Sequence, residues 1–582
     1  MKNMRRLFLT VGIILFASFA AYGYEGNAAK KLIYFGWSGP TTVDEILKTD
    51  LEEFNKNCPF DGMGIYPWIK LHGDENTEYN LSRVAGEPKM LSWDDFKEWV
   101  TALRRLQQGT RLKHNFIRTN CAAFNGNWFD DEVWKRTLNN YGMMARLARE
   151  AGFEGLCLDV EGYAYTKRPF MFREELGHSF EETAAQVRRR GREWIEEMNR
   201  QFPDLTLFTF LWTSFNCDTP NRAAHPETNN TGRDALLTAF FNGVYDGAPE
   251  TMKIIDGQEG QGYCATTDFD YDRIVANYHR FADAWINKAN HTKFKKITSM
   301  GMSLYLDSYA KKDKKTPWDH HNDSFSNQTT LLAHNVMNTL ACADEYAWIW
   351  CEWGTFWPNA EFNKYKPGVR KPFKYWNEVI PGCVEAIRFG KDWAKGIPSL
   401  AGKDVLRNGT LEPGESGIKH GVDQSNSGII GWSSWQNSQM PKGTITPENG
   451  MVHFVNVTDG SIAQSFKNPK PGKKFIFTAR CKPESRYSIP RIGYFFRGKN
   501  GQGLWDIQET NLFAEKDADG WMRSSLLITV PEGRNITEMT VIIGVQGSQN
   551  PSGKDGGVYF DDAALYEVEY PWEKEPDSTE VK

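Results

Sequence analysis

Several common chemistries are missing from this 582-residue chain. No C-x-x-C occurs, and the nine cysteines are an odd number with no paired spacing. A disulfide framework is unsupported, so the cysteines read as isolated buried thiols. No glycine-rich phosphate fingerprint follows the first strand-like run. Ile33-Tyr-Phe-Gly36 lacks the His-x-His of metal-dependent amidohydrolase barrels, and there is no G-x-S-x-G nucleophile elbow. His320-His321 beside Asp319 reads as a polar loop rather than a metal site. Net charge is only −5, which gives no nucleic acid or acidic membrane a reason to bind.

Long apolar runs are also missing after the first two dozen residues. Lys2, Arg5 and Arg6 precede an apolar stretch from Leu7 to Tyr22, with small residues Ala21 and Gly23 behind it. This is the pattern of a secretory signal over residues 1–23, so the mature chain is expected to be secreted or periplasmic without an integral membrane segment. What the chain has in plenty is tryptophan: 21, within 14% aromatic residues. Flat aromatic faces suit pyranose rings, although they also serve as core.

From residue 31 to 393, strand-like and helix-like patterns alternate. The strands are Lys31–Trp37, Asp61–Trp68, Leu112–Ala122, Leu156–Val160, Leu205–Ser214, Thr251–Glu259, Ile297–Asp307 and Glu345–Trp353. Helical periodicity follows each, for example over Thr42–Asn57, Ser92–Gln108 and Ser179–Gln201. Eight such units predict an α/β fold, a (β/α)₈ barrel over residues 24–402. An open doubly wound sheet would want the missing phosphate fingerprint. From about residue 403 to 570 only short alternating strands recur, predicting an all-β sandwich, and residues 571–582 read as a disordered acidic tail.

The fourth strand organises the rest. Alternation places Gly155, Cys157, Asp159 and Glu161 on one face and Leu156, Leu158 and Val160 on the other. Two carboxylates then stand at the C-terminal tip, about 6.6 Å apart along the strand, where an α/β barrel keeps its chemistry. The same parity brings Arg118 and Asn120, Glu259, Tyr305 and Asp307, and Trp350 and Glu352 to the mouth. Trp37, Trp68 and Trp212 lie at or near strand ends, and Tyr163 follows the fourth strand. Acids between aromatic platforms match glycosidic-bond cleavage, which needs one carboxylic acid to protonate the leaving oxygen and a carboxylate to assist. The expected catalytic set is Glu161, Asp159, Glu259 and Glu352. Glu161 is cast as proton donor, with Glu259 or Glu352 opposite it as base or nucleophile.

The stretch Glu154-Gly-Leu-Cys-Leu-Asp-Val-Glu161 is similar to D-G-x-D-x-D-x-E, the fourth-strand motif of family 18 glycoside hydrolases. The resemblance implies Glu161 as general acid and Asp159 as the group that orients a substrate acetamido nucleophile. Trp350 falls where that family has its sugar-floor tryptophan. Glu154 and Cys157 replace two of the motif's aspartates, and the family's sixth-strand Met-x-Tyr-Asp is absent. The C-terminal region resembles jelly-roll carbohydrate-binding modules in Leu406-Arg-Asn-Gly-Thr-Leu-Glu412, Gly431-Trp-Ser-Ser-Trp435 and Val558-Tyr-Phe-Asp-Asp-Ala-Ala-Leu-Tyr566. That likeness implies sugar binding through some of Trp432, Trp435, Trp505 and Trp521, and a structural Ca²⁺ held by Glu412 with Asp561 or Asp562. No cofactor is expected for catalysis. The expected partner is a polysaccharide or glycan. The rivals are a barrel that only binds glycan, and a polysaccharide lyase, which would want more basic residues at the mouth than Arg118.

Overall fold

The computed structural model describes residues 30–81, 89–124, 127–161, 168–217, 234–310, 328–358, 360–362, 371–394, 401–415, 424–484, 489–504, 509–513, 515–516, 520–546, 557–570 and 572. The signal-like N-terminus therefore lies outside the described residues.

Nine parallel strands form one sheet: β1 (Lys31–Gly36), β2 (Gly62–Ile65), β3 (Phe116–Asn120), β4 (Gly155–Asp159), β5 (Thr206–Thr209), β6 (Lys253–Asp256), β7 (Thr298–Met300), β8 (Met302–Tyr305) and β9 (Tyr346–Cys351). The hydrogen-bonded order runs β8-β9-β1-β2-β3-β4-β5-β6-β7, a nearly closed barrel. β7 and β8 are one run of chain parted at Gly301; β7 pairs with β6 and β8 with β9.

Helices lie between the strands, and their ends follow capping chemistry. Ser179 closes a capping box with Glu182 at the start of Phe180–Gln201. Gly152, at φ 77°, ends Asp131–Ala151 in the left-handed conformation that favours glycine. The helix expected over Thr42–Asn57 is two, Val43–Lys48 and Leu51–Asn57. Asp50 breaks it by capping the second with bonds from the Glu52 and Glu53 amides.

Strand parity sorts the core into two. Leu156, Leu158 and Val160 join the layer between sheet and helices. Inside the barrel sit Ile33, Phe35, Phe116, Cys157, Phe208, Phe210, Ile255, Trp348 and Trp350. The filling is aromatic: Phe35 meets Phe208 at 5.1 Å, Phe210 at 5.0 Å and Trp348 at 5.7 Å between centroids. Rings that large need space from a neighbour, and β2 supplies it. A Cβ on Gly64 would lie 2.1 Å from the Phe35 ring.

Two antiparallel sheets make up the C-terminal region. They enclose a separate apolar cluster that includes Trp432, Phe477, Val541 and Phe560. Trp432, expected as a sugar contact, is fully buried there and its indole N–H donates to the Asn408 carbonyl, so it is core. Trp435 and Trp521 are half-buried; Trp505 lies outside the described residues. The region packs on the barrel, with Trp393 Nε1 donating to Ser525 Oγ at 2.9 Å. Trp572, assigned by its sequence to the tail, stacks on Tyr570 at 4.9 Å and donates to Thr330. Residues 573–582 lie outside the described residues.

Gly64→Ala should destabilise the fold by about 1–3 kcal/mol, because Phe35 has nowhere to move. Gly260→Ala meets nothing within 4 Å and should be within about 0.5 kcal/mol of the parent. Urea denaturation midpoints at constant slope test this pair.

Candidate active site

The barrel's C-terminal end gathers three carboxylates around one arginine. Asp159 is the last residue of β4, and its partner in β3 is Asn120. Arg118, two residues before Asn120, opposes Cys157. The Arg118 guanidinium rests against two indoles that meet edge to face, 4.4 Å from the Trp37 ring and 4.5 Å from Trp350. Tyr66 and Phe210 stand further out at 5.4 and 5.7 Å. Arg118 Nη2 is 3.6 Å from Asp159 Oδ2, close enough for charge attraction but too long for a hydrogen bond. Asp159 Oδ1 accepts the Glu161 backbone N–H at 2.9 Å.

Glu259 reaches the same place by another route. β6 stops at Asp256, because Gly257 lies against β5 and Trp348 and Gln258 turns left-handed at φ 56°. That conformation is uncommon for a residue with a side chain. The turn is held by Glu259 N–H to the Phe210 carbonyl, and by Ser303 Oγ donating to the Gln258 carbonyl at 2.9 Å. Gly262 makes the close approach to β8 feasible, since a Cβ there would meet Ser303 Oγ at 2.3 Å. The expected sixth strand, Thr251–Glu259, is thus shorter, and Glu259 opens a short helix, Glu259–Gly262.

Burial and mutual repulsion set the charge states. Asp159 is raised from 3.8 to about 6, first by desolvation and then by Glu161, with Arg118 and Asn120 opposing. Glu259 keeps part of its stem in solvent, but its carboxylate is buried. Its pKa is pushed well above the usual carboxylate range by desolvation, Glu161 and Asp159; Tyr263 and Arg118 offset little of this. Several polar atoms here are buried without a hydrogen-bond partner among the described residues: Arg118 Nη1, Asp159 Oδ2, Gln258 Nε2 and Glu259 Oε2. Buried polar atoms are usually bonded, so these four concentrate unused hydrogen-bonding capacity at one end of the barrel.

The remaining expected residues divide. Asn120 Nδ2 reaches the Glu161 carbonyl at 3.5 Å. Tyr305 stacks on Tyr263 with centroids 5.3 Å apart, linking the Glu259 turn to β8. Glu352 sits apart from the trio, beside Tyr305 and Asp307, and accepts the Trp350 indole N–H at 3.1 Å. Asp307 is not placed as a sugar ligand. Its oxygens accept the Glu352 and Trp353 amides at 2.8 and 2.9 Å, so it anchors the loop after β9, and burial lifts it to about 7. Trp212 is also corrected: it is fully buried on Phe241 at 3.8 Å, and its N–H donates to the Tyr245 hydroxyl. β5 ends at Thr209, and buried Asp256 caps the turn at Thr213–Asn216 through Trp212, Thr213 and Ser214. Trp68 opens a hairpin, Trp68–Leu71 with Asp74–Asn80, after Pro67 has ended the second strand's course. Tyr163 lies outside the described residues.

Sequence parity missed Tyr66, Gln258 and Tyr263. Tyr66 lies one residue past β2 on its inward face, after Gly62 and Gly64, and could have been read by the same alternation. Gln258 and Tyr263 sit in a turn that no periodicity announces. Among the described residues, no three His, Cys, Asp or Glu side chains assemble a metal-holding group. Of the residues expected to hold Ca²⁺, Asp562 is bonded by Arg480 at 2.9 Å. Asp561 Oδ1 accepts the Asp562 backbone N–H at 2.7 Å, and the charges of Asp562 and Glu412 both bear on Asp561.

No protein-family model matches the chain, and no curated protein does. The family 18 likeness in β4 therefore stands on that one stretch. Parts of solved structures do match. The enzymatically active domain of bacteriophage CBA120 tailspike protein 4 shares 13% identity over 24% of this chain and 19% of its own, at a TM-score of 0.19. A CBM4 module shares 14% over 28% of this chain and 98% of its own, at 0.20. The CBM22-1–GH10 modules of a Clostridium thermocellum endo-1,4-beta-D-xylanase, complexed with xylohexaose, share 12% over 25% and 27%, at 0.18. The chain spans about a fifth of the tailspike and about a quarter of the xylanase chain. Likeness of this size carries no functional argument. Among the described residues, no helix is long and apolar enough to cross a membrane.

The charge states predict a pH signature. An acid raised in the folded state holds its proton there more tightly than in the unfolded chain. Its stabilising contribution is full below pH 4 and is lost as pH rises through about 6 for Asp159. Asp159→Asn removes that loss and should stabilise the protein by about 1–3 kcal/mol at pH 7, with little change at pH 4. Thermal unfolding from pH 4 to 8 measures the difference, and a variant less stable at pH 7 contradicts the assignment.

Proposed function

We propose that the chain is an exported glycoside hydrolase whose eight-stranded (β/α) barrel cleaves glycosidic bonds. The C-terminal sandwich would hold the same glycan. The observation that carries this reading is the coupling of Asp159, Glu161 and Glu259 at the C-terminal end of the parallel strands, in an aromatic surround. A glycosidase needs one carboxyl that keeps its proton at neutral pH and another that does not. Burial and two neighbouring acids make Glu259 the first kind. It, rather than Glu161, is assigned as proton donor to the leaving oxygen. Glu161, the half-buried member, serves as the carboxylate that activates water or attacks the anomeric carbon. Asp159 accepts the Glu161 amide N–H and adds its field to that of Glu161 in holding the proton on Glu259. Glu352 is assigned to shaping the pocket wall through Trp350.

A panel of polysaccharides with reducing-end detection tests the reading, and a barrel that binds glycan without releasing ends overturns the enzymatic part. On the substrate so found, Glu259→Gln and Glu161→Gln should each lower kcat by about 10²–10⁴-fold. Glu352→Gln should stay within about tenfold. Aryl glycosides with good leaving groups need no proton, so they should restore much of the rate to Glu259→Gln and none to Glu161→Gln.

A further inference from the structure

We infer that the carboxylate cluster at the barrel's C-terminal end selects a glycan carrying a free amino group, an ammonium sugar, and turns away acidic sugars. This rests on the glycan-cleaving reading and names its substrate class.

The argument is one of charge and unmet bonding. Asp159, Glu161 and Glu259 crowd one end of the barrel. The strongest fields on Glu259 come from the other two acids, and the opposing one from Arg118. One arginine cannot balance the charge that remains even while Glu259 keeps its proton. It rests against Trp37 and Trp350, and it stops 3.6 Å short of Asp159. Among the described residues, the other titratable groups facing the trio are Cys121, Cys157 and Tyr263, with Asp234 near Cys121; burial favours the neutral form of both thiols, and none of these groups can supply positive charge. Asp159 Oδ2 and Glu259 Oε2 are buried without a hydrogen-bond partner among the described residues, and Asp159 itself is 1% exposed. An ammonium has three donors and a full charge, and answers both deficits. A uronate or sulfate would add a further negative group and would have to be desolvated to enter. A neutral hydroxyl can donate to one of these oxygens but leaves the charge unbalanced.

The sign of the pH effect follows. The free site relieves its repulsion by holding protons, and a bound ammonium relieves it by pairing. Binding of the cation therefore releases protons, and its affinity should fall as pH drops below about 6, the value to which Asp159 is raised.

Calorimetric titration of the full chain with glucosamine tetramer, cellotetraose and galacturonate tetramer tests the proposal. At pH 7 the glucosamine tetramer should bind about tenfold or more tighter than cellotetraose, and the galacturonate tetramer should bind worst. The preference should shrink about tenfold between pH 7 and pH 5. Asp159→Asn and Glu161→Gln should each shrink it at pH 7; two variants are used because either alone could disturb the fold. Cellotetraose binding as tightly as the ammonium sugar overturns the proposal, and so does a preference that both variants leave intact, which is attraction to the net-negative surface only. If none of the three binds while the polysaccharide panel is cleaved, the substrate class is wrong and the glycosidase reading stands. If the panel is also untouched, both fall.

Discussion

The structure turns on a repulsion that the fold enforces. Asp159 ends one strand and Glu161 follows two residues later, and Glu259 is brought against them by a turn in which Gln258 is left-handed. Charged groups this close in a dry, ring-lined cavity cannot all stay ionised. Arg118 tempers the conflict without resolving it, because its guanidinium is committed to two indole faces. Cation–π contacts of this kind are worth about 1–2 kcal/mol when desolvated, which helps keep the arginine from swinging to a full ion pair with Asp159.

The aromatic filling is the other half of the constraint. Phe210 stacks on Trp348 at 4.4 Å, and Trp348 donates its indole N–H to the Gly257 carbonyl. That bond fixes the residue before Gln258, so the packed interior and the Glu259 turn are mechanically one object. Glycines at 64, 257 and 262 let rings and backbone approach. Trp350 belongs both to the filling and to the indole pair against which Arg118 rests, and so passes the position of the core to the acids.

Much of this was legible in the residues. Period-two alternation places Cys157 inside the barrel and Leu156 and Leu158 outside, and the same arithmetic brings Arg118 and Asp159 together. Alternation fails where a strand stops being a strand. Trp212 lies beyond Thr209, where the chain has already bent under the Asp256 cap, so its parity carries no information. Trp68 is diverted by Pro67 into a hairpin. Asp307 has the right parity but spends both oxygens on backbone amides, a local bond that composition cannot reveal. In the proposed reading the proton donor is Glu259 rather than Glu161 for a similar reason: parity says which way a side chain points, and burial decides whether it keeps its proton.

The claim that Glu259 holds a proton at neutral pH because Asp159 and Glu161 face it can be measured on the resting protein. Isotope-edited infrared spectroscopy with carboxyl-labelled glutamate, and Glu259→Gln to assign the band, reads the protonated carboxyl directly. The account predicts a Glu259 carboxylic-acid band that persists at pH 7 and whose titration moves to lower pH in Asp159→Asn. A Glu259 carboxyl that is fully ionised by pH 6, or that titrates unchanged in Asp159→Asn, contradicts it.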